Sequence, residues 1–325
     1  MRKLFLHAKT FARLEDALKS YSDQLSPLII DDEGDLKHPW GESEASGAIA
    51  FGTPDAYFSP AVMTFFQTLL SLDPLDWFQS SAAGIEHPIL QAVGQKAKLY
   101  TGSHEQSEAI AEWVLWAGFD FFQNGAARRK HQTDKVWKRL SAREISDTRW
   151  LIIGFGAIGE ATARRLRALG AHVTGVRRSG GTSPAADRMI TPVQMFEDLP
   201  HADAVLLCAP LTPETENTAD ERFFAAMKPR SLLVNVGRGG LVDETALLAA
   251  LERGQPAHAS LDVVREEPLP ADSPIWAHPG ITLTAHISAS TAQTVARVDQ
   301  LFLNNLAKFL SGDRLQNVVE PEAFS

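Results

Sequence analysis

The sequence predicts an α/β protein built from two doubly wound parallel-sheet domains. Three observations carry this. At 325 residues the chain is long enough for about two domains of ordinary size. Short apolar runs alternate with helical patterns throughout, the signature of βαβ units. One apolar run passes directly into a Gly-x-Gly-x-x-Gly segment that opens a helix.

Composition narrows the class. Aliphatic, aromatic and Cys residues make up 44% and charged residues 22%, a globular balance that excludes extended disorder and fibrous repeats. Forty acidic against 31 basic residues leave a net charge of −9, which argues against non-specific nucleic-acid binding. The one cysteine, Cys208, excludes an intramolecular disulfide and a Cys-based metal site, and no metal is expected. Residues 1–9 lack the apolar run of a signal peptide. The most apolar stretch, 109–122, is 14 residues and contains Glu112 and Asp120, against the about 20 that a membrane span needs. A cytoplasmic protein with neither nucleic acid nor membrane as partner is expected.

In the first hundred residues the predicted strands are 4–6, 28–30, 48–51, 77–78 and 98–100, with a helix over 60–72 among the intervening ones. This first, flavodoxin-like domain is expected to comprise 1–101 and 290–325. Ser103 and Gln106 then read as a capping box for a helix over 103–122. That helix is apolar on nearly every side (Trp113, Trp116, Phe119, Phe121, Phe122), so it should be buried all round. One side should meet its own chain and the other a second subunit, giving a homodimer. After a basic, polar stretch over 128–149, six strands follow at 150–153, 172–176, 204–208, 232–236, 259–263 and 281–285. They match a doubly wound sheet and define a second domain over 102–289. A last helix, 291–310 with Gly312 as its stop, has no strand after it in that series and should cross back to the first domain.

The segment Gly154-Phe155-Gly156-Ala157-Ile158-Gly159 lies between a strand and a helix stopped by Gly170. Gly154 suits the tight turn, Gly156 lets a pyrophosphate approach the backbone, and Gly159 lets helix and strand pack closely. The context makes the second domain a Rossmann dinucleotide-binding fold. About 20 residues on, where an NAD site carries Asp or Glu for the ribose hydroxyl, stands Arg177-Arg178-Ser179-Gly180-Gly181-Thr182. Two guanidiniums and two hydroxyls suit a 2′-phosphate, so NADP(H) is favoured over NAD(H). The alternative is a solvated basic turn. Cys208, in a strand, reads as a small hydrophobe.

From about residue 76 to 320 the chain resembles the D-isomer-specific 2-hydroxyacid dehydrogenases. The resemblance rests on the glycine loop, Leu211-Thr212-Pro213-Glu214-Thr215, the run Asn235-Val236-Gly237-Arg238-Gly239-Gly240-Leu241-Val242-Asp243-Glu244, Asp262-Val263 with Glu266-Glu267-Pro268-Leu269-Pro270, Pro274-Ile275-Trp276, and Thr284-Ala285-His286-Ile287-Ser288. It implies a usually dimeric, two-domain enzyme, its nucleotide domain inserted into the substrate domain and its active site between them. It implies a reductase of small 2-oxo acids to D-2-hydroxy acids, with glyoxylate or hydroxypyruvate as natural substrates.

The side chains suit that chemistry. Arg238, just past a strand's carboxyl end, has the planar fork to hold a substrate carboxylate and ketone oxygen. His286, at the end of the final strand, has an imidazole able to exchange a proton with the substrate oxygen. Glu267 is the carboxylate that would orient the ring and favour imidazolium; the neighbouring Glu266 should face solvent. The resemblance further implies that Asp262 accepts from the nicotinamide carboxamide, and that Ala209, Pro210, Thr215, Val236, Gly237 and Ser288 line the cofactor. In the first domain, Ser81-Ala82-Ala83-Gly84 resembles a loop whose backbone N–H groups meet the substrate carboxylate; a plain strand-to-helix turn is the alternative. A formate dehydrogenase is disfavoured, because that subgroup places Gln where Glu267 stands. A phosphite-type dehydrogenase keeps the trio, and a corepressor-like dinucleotide sensor remains the rival from another class.

Overall fold

The computed structural model describes residues 1–82 and 84–324. Contacts divide the chain into two units, Met1–Glu105 with Ala292–Ser325, and Gln106–Thr291. The first begins with β1 (Arg2–His7), α1 (Ala8–Leu18), β2 (Leu25–Ile30), β3 (Leu36–Lys37), β4 (Ala48–Gly52) and α2 (Pro54–Tyr57). It continues with α3 (Val62–Ser71), β5 (Leu75–Ser80), α4 (Pro88–Lys96) and β6 (Tyr100–Thr101). The second holds α5 (Ser107–Phe122), α6 (Gly125–Thr133), β7 (Arg149–Ile153), α7 (Ala157–Ala168), β8 (His172–Val176) and β9 (Arg188–Ile190). Then come α8 (Met195–Asp198), β10 (Ala204–Leu207), α9 (Glu221–Ala226), β11 (Leu232–Asn235), α10 (Glu244–Glu252), β12 (His258–Leu261) and β13 (Ile281–Leu283). Finally α11 (Ala292–Ser311) and β14 (Val318–Val319) return to the first unit.

The first sheet runs β3-β2-β1-β4-β5-β6-β14. Its five central strands are parallel, and the two-residue strands β3 and β14 pair antiparallel at the edges. Strand alternation sends side chains to two cores. Phe5, Ala48 and Ala50 meet Phe65, Phe66, Leu69, Leu90 and Val93 on one face. Leu4, Leu6, Ile49 and Phe51 meet Phe11, Leu14 and Leu18 of α1 and Val298, Phe302 and Leu306 of α11 on the other. The i, i+4, i+8 spacing of the α11 residues makes the stripe that docks. The Phe302 ring stacks on Phe51 at 4.2 Å and on Trp77 at 5.5 Å, a burial that stabilises by about 1.5–3 kcal/mol. Gly312, at φ +81°, stops the helix in a conformation that glycine adopts without strain.

The second sheet is parallel throughout, in the order β9-β8-β7-β10-β11-β12-β13. Chain order therefore reverses between β7 and β10, the crevice where doubly wound sheets bind ligands. Trp150, Ile152, Leu206 and Val234 pack with Ile110 and Val114 of α5 and Ala163 and Leu166 of α7. Leu151, Ile153, Val205, Leu207 and Leu233 pack on the opposite face with Phe223, Phe224 and Leu247.

One expectation about α5 changes. There is no capping box: the Gln106 side chain does not cap the helix, and Ser103 Oγ instead accepts the Glu105 N–H at 3.2 Å. Its own unit covers one side of the helix, the side expected to meet its own chain. Val114, Ala117, Gly118 and Phe122 are inside, whereas Trp116 and Phe119 are 44% and 42% exposed. No helix among the described residues is long and apolar enough to cross a membrane.

Candidate active site

The glycine loop follows β7. Gly154 sits at φ +95°, and a Cβ there would run into the backbone of Ala209, so both the turn and the contact require glycine. The Cys208 Sγ donates to Gly154 O at 3.1 Å, and burial pushes that thiol up to about 12. Gly156 caps α7 with backbone alone, and a Cβ built on it meets nothing within 4 Å. A Cβ on Gly159 would lie 3.1 Å from Gly154 O, so helix and loop are in close contact. The exposed Gly156 and Ala157 and the half-buried Ile158 thus frame an open cradle at the positive end of a 12-residue helix. These residues fit the diphosphate of a dinucleotide. Phe155 departs from its expected role. Its ring is buried in the core and its N–H is donated to Val176 O at 3.1 Å, so it braces the loop from beneath.

After β8 the Arg177 guanidinium donates to Gly180 O at 2.9 and 3.1 Å, closing its own turn. Arg178 and Ser179 are exposed. The loops after β10 and β11 run beside the glycine loop. Thr215 Oγ1 donates to Pro210 O at 2.7 Å and accepts the Thr212 N–H at 2.7 Å, fixing that loop's shape. Val236 is buried, and a Cβ on Gly237 would lie 2.9 Å from Ala209 O, so Ala209 and Gly237 are backbone neighbours.

The second half of the site is built on the ends of β11, β12 and β13. Arg238 is half-buried, and one of its terminal nitrogens donates to Gly237 O at 2.8 Å. A Cβ on Gly239 would strike the backbone of Val264, so the Arg238 turn presses directly on the segment leading to Glu267. Glu267 accepts the Val264 N–H at 3.1 Å through Oε1 and meets His286 Nδ1 at 2.8 Å through Oε2. His286 is half exposed (53%) and takes a left-handed backbone, φ +54°. Glu266 is exposed.

Asp262 is where the structure departs furthest from expectation. Its side chain is 1% exposed, and its oxygens accept from Thr284 Oγ1 at 2.5 Å, Ile287 N at 2.9 Å and Ser288 N at 3.0 Å, while its carbonyl accepts His286 N at 2.8 Å. The carboxylate expected to receive a carboxamide is engaged in tying down the loop that carries His286. Ser288, buried, contributes its N–H to the same knot. Sequence reasoning missed Asn235, Thr284 and Arg265. Arg265 is ion-paired with Glu216 at 3.2 Å, hydrogen-bonded to Asn217, and donates to Val242 O at 3.2 Å. The available signal was composition: Asn before Val-Gly and Thr before a strand end are residues that bond to local backbone.

In the first unit, the loop after β5 has two of its expected donors engaged. Ser81 N–H donates to Gly52 O at 2.8 Å and Ala82 N–H to Ser80 Oγ at 3.0 Å, with Ser80 also bonded to Tyr57 at 2.9 Å. Those amides hold the turn itself. Gly84 is half-buried beside them, and Ala83 lies outside the described residues.

A reversing parallel sheet, a glycine cradle at a helix N-terminus and an Arg/Glu/His group on the adjoining strand ends define a dinucleotide-binding α/β protein. Residues 116–288 match the family model for the NAD binding domain of D-isomer specific 2-hydroxyacid dehydrogenases, and the chain belongs to that family. It is 36% identical to the glyoxylate/hydroxypyruvate reductase B of Citrobacter koseri, over 97% of this chain and 87% of the relative. With the D-3-phosphoglycerate dehydrogenase of Mycobacterium leprae it shares 33% identity over 66% of this chain, but only 40% of that protein's length. Other relatives are likewise covered over less than two thirds of their length, at 46–64%. Among solved structures, a D-isomer specific 2-hydroxyacid dehydrogenase family protein from Aeromonas salmonicida superposes with a TM-score of 0.76 at 28% identity, covering 98% of this chain and 99% of that one.

Proposed function

We propose that this protein is an NADP(H)-dependent reductase of small 2-oxo acids, of the glyoxylate/hydroxypyruvate type, yielding D-2-hydroxy acids. The observation that carries the reading is the 2.8 Å contact between His286 Nδ1 and Glu267 on the sheet edge that also bears Arg238. With Nδ1 engaged, Nε2 is the ring atom left to exchange a proton with a substrate oxygen. Glu267, bonded to Nδ1, orients the ring. Arg238 holds the oxo acid through a planar fork that an ammonium cannot reproduce. When bound, the nicotinamide supplies the hydride. Gly156, Ala157 and Ile158 receive its diphosphate, and Arg178 with Ser179 would meet a 2′-phosphate, which supports NADP(H) over NAD(H). The resemblance to the Citrobacter koseri reductase supports the substrate class. The same reading makes the protein a homodimer through α5.

Initial rates with NADPH and NADH against glyoxylate, hydroxypyruvate, pyruvate and a phosphorylated three-carbon 2-oxo acid test it. NADPH should win by about tenfold or more in kcat/KM, a difference of about 1.4 kcal/mol. Neutralising Arg177 and Arg178 should weaken NADPH far more than NADH. His286→Ala should lower kcat by about 10²–10⁴-fold with cofactor still bound, and Arg238→Lys should not retain activity. Turnover of none of these acids would sink the substrate reading; equal efficiency with the two cofactors would sink the cofactor reading.

A further inference from the structure

Asn235, the last residue of β11, is fully buried yet polar. Its side chain is spent at both ends on the turn that follows. Oδ1 accepts the Gly237 N–H at 3.1 Å and Nδ2 donates to Arg238 O at 3.0 Å. Its carbonyl also accepts the Asp262 N–H at 3.0 Å, and Asp262 is the residue that ties down the His286 loop. One residue therefore reaches both arms of the site by hydrogen bonds.

We propose that Asn235 is a positioning residue: it fixes the backbone on which Arg238 stands and so sets where the guanidinium meets the oxo acid. This rests on the role given to Arg238 above. The reasoning is geometric. A buried amide pays for its desolvation only when its groups are bonded, and here the bonds go to residues two and three positions on. A hydrophobic residue would fill the space, leave the Gly237 N–H without its acceptor, and leave the Arg238 carbonyl with only the Leu241 N–H, 3.1 Å away. The turn would then relax, carrying Arg238 with it. Displacement of about 1 Å at such a group is worth about 10²-fold in rate.

A double-mutant cycle tests the idea on the intact protein. Asn235→Ala and Asn235→Asp are measured alone and in an Arg238→Ala background, with thermal melts and fluorescence titration of NADPH beside the kinetics. Asn235→Asp keeps the size and the Gly237 acceptor, exchanges the donor to Arg238 O for an oxygen and adds a buried charge, so the melts decide which of the two variants the kinetics are read from. Both single variants should raise KM for the oxo acid and lower kcat, together by about 10²-fold in kcat/KM, with NADPH affinity unchanged. In the Arg238→Ala background the same substitutions should cost almost nothing further, because the group they act through is gone. A full additional loss in that background would overturn the proposal and make Asn235 a general structural residue, as would a matching loss of NADPH affinity. If Arg238→Ala alone leaves kcat/KM unchanged, the assignment of Arg238 falls and takes the proposal with it; that outcome is read from the single variant, before the cycle is completed.

Discussion

Asp203 illustrates how much one side chain holds. It lies at the start of β10, 4% exposed, accepting from Arg143 at 2.9 Å, Lys228 at 2.6 Å and Arg149 N at 2.9 Å. Burial alone would push its carboxyl up, but the bonds from Arg143, Lys228 and the Arg149 amide outweigh that and hold it below the usual range. A carboxyl lowered in the folded state contributes stability above its unfolded value of about 3.9, and loses it as pH falls through the folded value. Asp203→Asn should therefore destabilise by about 1–3 kcal/mol at neutral pH, a modest figure because Arg143 and Lys228 are 44% and 41% exposed and can rehydrate. The variant should also lose less of its melting temperature between pH 7 and pH 3 than the parent. Parallel melting curves against pH would refute this. The Glu267–His286 contact was readable because both residues stand in dense local motifs. Asp262 and Asn235 were not readable in their positioning roles, because hydrogen-bond partners brought together by three strand ends leave no spacing in the chain.

At the scale of elements, the loop between β7 and α7 makes the sharpest prediction. Gly154 is enclosed by the Ala209 backbone, whereas Gly156 faces open space. Gly156→Ala should melt within about a degree of the parent, since surface changes of this kind stay within about 0.5 kcal/mol, yet weaken dinucleotide binding sharply. Gly154→Ala should lose stability as well. Calorimetry and cofactor titration on the pair separate the two. A Gly156→Ala protein that binds NADPH normally would remove the cradle from the cofactor site. This element was legible because its demands are local: a tight turn, a bare helix end, a close packing contact. The start of α5 was misread for the complementary reason. Ser103 and Gln106 have the right spacing, but Ser103 bonds two residues on and the helix opens only at Ser107. The edge strands β3 and β14 went unseen because two residues carry no periodicity, and β9, three residues long, carries little more.

Over the whole molecule, the order of the chain and the order of the sheets differ. β1 begins the first sheet and β14 ends it, with the entire second sheet threaded between them. The pattern of apolar runs foretold both sheets, since parallel strands buried on two faces read as continuous aliphatic stretches. The apolar excess of α5 also stood out. It divides into an inner face and an outer one, the outer carrying Trp116 and Phe119, with Val136 and Trp137 exposed in the segment beyond α6. The homodimer proposed above would cover Trp116 and Phe119 by a two-fold pairing of α5. Sedimentation velocity at micromolar concentration should give a dimer, and Trp116→Lys combined with Phe119→Lys should shift it to monomer. A stable monomeric parent would refute the pairing.

Cys208 has a consequence of a different kind. Its thiol is bonded to Gly154 O and pushed up to about 12 by burial, so little of it is thiolate at neutral pH. Oxidants and alkylating agents attack the thiolate, and this sequence offers them no other sulfhydryl. Cys208 in the folded chain is thus a poor target for them. Where cysteine chemistry could have gated the dinucleotide loop, the burial that secures Gly154 has insulated it.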